Sequence, residues 1–148
     1  MRILFFLLIT TVFLVACNKD KFTTVPQIKF KSITRDSYSQ GALSDASAPV
    51  ITIHVTDAEG DLGFTTKDTS YIYLKNLRTN DLDSVTLPDI SKAAVKKFEA
   101  DIDINLRRIL RVPNASKKDT LYYDIYLKDF AKNKSNVIRT EKPIFYFP

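Results

Sequence analysis

The chain has one cysteine, one histidine, no tryptophan and three glycines in 148 residues. One cysteine excludes a disulfide within the chain and any zinc cage built on several thiolates. One histidine, His54, leaves little for acid-base or metal chemistry, and its place on the wetter face of an alternating stretch reads as surface. No Gly-x-Ser-x-Gly elbow and no phosphate-cradling glycine loop occurs. With so little glycine, Asn and Asp must make most of the turns. Long apolar runs are missing too. The longest, Ile3 to Ala16, is 14 residues. As a helix it would reach about 21 Å, against a hydrocarbon core of about 30 Å.

That run nevertheless sets the address of the protein. Arg2, the apolar segment Ile3 to Val15 and the small residue Ala16 before Cys17 form the pattern of a secretory leader. Leu14-Val15-Ala16-Cys17 resembles the lipobox of bacterial lipoproteins. That resemblance implies cleavage before Cys17, a diacylglyceryl group on its sulfur and an acylated new amine, palmitate among the usual chains. Two or three acyl chains, at about 0.8 kcal/mol per buried methylene, hold a small protein durably at a membrane. The expected organisation is a signal peptide over 1–16, a lipidated cysteine and tether over 17–26, and one domain over 27–148.

Removing 16 residues from 148 leaves 132, enough for one domain. Loss of Arg2 leaves 21 basic against 17 acidic side chains, a modest positive balance. The pairs Lys96-Lys97, Arg107-Arg108 and Lys117-Lys118 are scattered, which argues against nucleic acid as a partner.

Seven Tyr and ten Phe favour pleated sheet. Period-two alternation marks strands at Gln27 to Thr34, Val50 to Thr56, Ser70 to Leu77 and Leu82 to Leu87. The cleanest alternation is Phe98 to Leu106, where apolar residues interleave with Glu99, Asp101, Asp103 and Asn105. Thr120 to Lys128 follows, then Val137 to Phe147, interrupted near Pro143. Arg35 to Pro49 reads as a loop, and Asp89 to Lys97 has the composition of one or two helical turns. About seven short strands in one domain predict an all-β, immunoglobulin/fibronectin-like antiparallel sandwich. Without the usual disulfide and Trp, another sandwich topology or a small barrel stays open.

The lipobox, the stretch Asp57-Ala58-Glu59-Gly60-Asp61-Leu62-Gly63 and the later Tyr123-Asp124-Ile125-Tyr126-Leu127-Lys128-Asp129 with Asn133-Lys134-Ser135-Asn136 together resemble small, mostly uncharacterised lipoproteins of the Bacteroidota. The resemblance implies a cell-envelope location, with the outer membrane as anchor and a periplasmic or surface-facing domain. It implies an immunoglobulin-like fold and supplies no catalytic residue.

Two features of the domain carry chemistry. Asp57, Glu59 and Asp61 alternate as acids do in a loop that turns oxygens toward one hard cation. Asp68 falls at position 12 of an EF-hand-like register, but Leu62 sits where such a loop needs Gly. In immunoglobulin order the loop after Lys128 emerges at the same end, so Asp129 and Asn133 would complete a calcium site. The other reading is an acidic turn whose Asp and Gly satisfy the backbone themselves. The second feature is Tyr71, Tyr73, Tyr122 and Tyr126, whose rings would stack on sugar or anchor a protein partner if they face outward. Phe145-Tyr146-Phe147-Pro148 is a candidate edge strand. These features predict a non-catalytic, lipid-anchored binding or assembly module for an envelope protein or glycan. The alternatives are a calcium-stabilised glycan-binding or adhesion lipoprotein and, behind it, a small hydrolase with two carboxylates across a cleft.

Overall fold

A computed structural model describes residues 21–39, 43–64, 67–87, 96–110 and 117–148. Cys17 and its lipobox lie outside the described residues, as does most of the stretch with helical composition. Its last two residues, Lys96 and Lys97, form a bend, and Lys97 has a φ of 65°.

The chain is an all-β sandwich. Its strands are β1 (Gln27–Thr34), β2 (Ser37–Ser39), β3 (Val50–Asp57), β4 (Tyr71–Asn76), β5 (Leu82–Thr86), β6 (Phe98–Asn105), β7 (Asp119–Leu121), β8 (Tyr123–Lys128), β9 (Ile138–Arg139) and β10 (Ile144–Phe147). One face is the antiparallel sheet β1-β3-β6; the other is β5-β4-β8-β9; a third small sheet, β2-β10-β7, adds Tyr38, Leu121, Ile144 and Tyr146 to the same core. Alternation explains the arrangement. Ile51, Ile53 and Val55 of β3, Ile102 and Ile104 of β6, Ile72 and Leu74 of β4 and Ile125 and Leu127 of β8 all turn inward and are buried. Burying side chains of this size contributes about 1.5 to 3 kcal/mol each. A one-residue slip of any of these strands would send its whole apolar set to solvent.

Three features depart from the sequence expectation. The supposed loop 35–49 contains β2, whose Tyr38 is buried and packs on Tyr146 with ring centroids 5.3 Å apart. Burial pushes the Tyr38 phenol up to about 12. The stretch Thr120 to Lys128 is two strands, because the chain leaves β10 at Leu121 and takes up β4 at Tyr123. Its buried residues keep one rhythm across the switch, so the pattern hides the change of partner. The C-terminal segment is not an edge: β10 lies between β2, which it pairs in parallel, and β7.

Candidate functional site

The two candidate sites lie on different parts of the sandwich. The first is at the end where the loop after β3 meets the loop after β8. The Phe130 N–H donates to the Asp61 carbonyl at 3.0 Å, tying the two loops together. The loop turns tightly at Gly60, whose φ of 69° suits glycine and lets its N–H donate to Asp57 Oδ2 at 2.6 Å. Asp57 is fully buried. Among the described residues no donor reaches its other oxygen, Oδ1, or the buried Oδ1 of Asp61. The two carboxyls face each other within hydrogen-bonding reach. Burial chiefly, then the negative charges of Asp61 and Asp129, push the Asp57 carboxyl up to about 6, against the opposing pull of the Gly60 N–H.

The five residues expected to ligate calcium are only partly gathered. Glu59 is exposed. Asp129 is fully buried but engaged: the Asn133 backbone N–H donates to its Oδ1 at 2.7 Å and the Asn133 side-chain amide to its Oδ2 at 2.9 Å. Among the described residues no group of three or more His, Cys, Asp or Glu side chains is placed to hold a metal ion. What remains is the facing pair Asp57 and Asp61, with the Asp129 charge beside it.

The second site is the outer surface of β5-β4-β8-β9. Pleating sends Tyr71, Tyr73 and Lys75 of β4 outward beside Lys128, Tyr126 and Asp124 of β8. Tyr73 and Tyr126 are register partners and their rings stack at 4.8 Å, 10° from parallel. Tyr71 leans against Tyr73 at 6.3 Å. The Lys134 ammonium lies 4.1 Å from the Tyr126 ring centre, and that of Lys128 lies 5.6 Å from the Tyr73 ring. Such contacts are worth roughly 0.5 to 1 kcal/mol at exposed sites. Three of the four expected tyrosines therefore come together. Tyr122 sits at the β7-β8 junction, and its carbonyl accepts the Leu77 N–H at 2.9 Å.

This arrangement changes what the tyrosines can do. The Tyr126 ring stacks on Tyr73 and carries the Lys134 ammonium, so its π surface is engaged within the protein. Beside them Arg139 grips Asp124 with two bonds, Nε to Oδ1 at 2.8 Å and Nη2 to Oδ2 at 3.1 Å, which holds that carboxyl below its ordinary range. Lys128 and Lys134 are left against rings. The surface offers positive charge and hydroxyl hydrogen bonds, a combination suited to anions.

No family model matches the chain, and no curated protein or solved structure matches it.

His54 shows a structural role. On the outer face of β1-β3-β6 its Nδ1 meets Asp101 Oδ1 at 2.7 Å and its Nε2 meets Glu99 Oε1 at 3.2 Å. Lys21 and Lys31 reach the same two acids from the other side. Two open clefts, of about 340 and 460 Å³, are lined by Ser37, Tyr38 and Phe147 and by Lys29, Asn136, Arg139 and Glu141 respectively. Neither sets two carboxyls across from each other, the arrangement a glycosidase would need.

Proposed function

We propose that this is a non-catalytic, lipid-anchored protein of the cell envelope that binds acidic polysaccharide through the outer face of the β4-β8 sheet. The observation that carries the reading is the row Tyr71, Tyr73, Tyr126, with Lys128 and Lys134 against its rings. A uronate-bearing or sulfated glycan matches this row in both its charge and its hydroxyls. Ammonium groups meet the acid groups, and tyrosine hydroxyls bond to the sugar oxygens between them. The sheet is a rigid support, so little side-chain freedom remains to be lost on binding. Cys17, acylated, would hold the domain within reach of envelope glycans without committing it to one orientation.

The test uses the detergent-solubilised full chain, titrated by calorimetry with an acidic polysaccharide and with a neutral one of similar length. Binding of the acidic polymer alone, weakened as salt rises, is the expected result. Equal affinity for the neutral polymer, or none for either, would remove the reading.

A further inference from the structure

We infer that Asp57 and Asp61 form the seat of one divalent, oxygen-preferring cation at the end of the sandwich, distinct from the aromatic face. Asp57 is fully buried, and among the described residues no donor reaches its Oδ1; Asp61, half-buried beside it, has a buried Oδ1 that no donor reaches either. Asp129, also fully buried, adds a third acid to the same neighbourhood.

Charge decides between explanations. The charged groups acting on Asp57 are the acids Asp61 and Asp129; its one favourable partner is the Gly60 N–H. A buried carboxylate that lacks a counter-charge is strongly disfavoured. One shared proton would relieve the contact between Asp57 and Asp61 but leave two net negative charges among three neighbouring acids, of which Asp57 and Asp129 are fully buried and Asp61 half-buried. A divalent ion leaves one. Calcium fits the donors: it takes six to eight oxygens, tolerates irregular geometry and accepts backbone carbonyls and water where carboxylates run out. Asp57 Oδ1 and Asp61 Oδ1 are the side-chain ligands. Asp129, whose oxygens are bonded to Asn133, contributes its field and holds the second loop in place. Glu59 has no part in the seat.

The ion would lock the loop after β3 to the loop after β8, where Phe130 N–H already meets the Asp61 carbonyl. Its binding is read as a melting shift. The full chain in detergent at pH 7.5 should melt at least about 5 °C higher in calcium at a hundredfold excess over Kd than in chelator. Native mass spectrometry should show one calcium per chain. D61N puts an amide donor opposite Asp57 and removes one charge. It should fold, melt above the parent in chelator, and lose the calcium shift. D57N should lose the shift as well, while E59Q should keep it. No response of the parent to calcium, magnesium or manganese, with stability that rises only on acidification, would mean a shared proton and would overturn the inference. So would a calcium shift that survives in both D57N and D61N.

Discussion

Asn136 does for Ile28 what a neighbouring strand would do. Its amide oxygen accepts the Ile28 N–H at 2.8 Å, and its amide nitrogen donates to the Ile28 carbonyl at 2.9 Å. One side chain thus joins the first strand of one face to the turn before β9 on the other, across 108 residues of sequence. N136A removes both bonds and should lower stability by about 1 to 3 kcal/mol in urea unfolding. N136D keeps the acceptor but loses the donor and should fall between parent and N136A.

The stacked pair Tyr73 and Tyr126 makes the polysaccharide reading quantitative. K134A removes an ammonium from the ligand face and should weaken acidic-glycan binding about tenfold, with a shallower dependence on salt. Y126A takes away a hydroxyl and the support of both Tyr73 and Lys134, and should cost at least as much. Y122F, altered away from the row, should bind as the parent does. Calorimetric titration at two salt concentrations checks all three.

Acid should loosen the face built around His54. Lys21 first, and His54 with it, hold the Glu99 carboxyl below its ordinary range; His54 first, then Lys31, do the same for Asp101. A carboxyl depressed in the folded state stabilises the fold above its unfolded value, near 4, and that contribution is lost as pH falls through the folded value. The expected outcome is a melting temperature that drops below about pH 4. The drop should be smaller in the double variant E99Q/D101N, as followed by circular dichroism.

The anchor has its own test. C17S should abolish metabolic labelling with palmitate and move the protein out of the membrane fraction, or leave it as an uncleaved precursor. Labelling and fractionation identical to the parent would contradict the lipobox reading.

The strands were legible because each has one buried side, and burial on one side of a pleated chain imposes period two. Phe98 to Asn105 shows this most directly: Ile102 and Ile104 are buried while Glu99, Asp101 and Asp103 are exposed. What stayed hidden was pairing. Tyr38 belongs to a strand of three residues, too short for a period, whose partner β10 lies far along the chain. Leu121 and Tyr123 keep the same alternation on either side of a switch between sheets. Asp57, Asp61 and Asp129 were visible as acids at one end. That Asn133 would satisfy Asp129, leaving Asp57 and Asp61 to face each other, depends on side-chain geometry that spacing does not encode.

Strand β6 ends its sheet, pairing β3 on one side and, among the described residues, no strand on the other. The acids along it, Glu99, Asp101 and Asp103, are exposed, and charged side chains on an outer strand discourage edge-to-edge pairing with another chain, although Lys21, Lys31 and His54 offset part of their charge. Molecules at high concentration would thus tend to stay separate instead of stacking into fibrils.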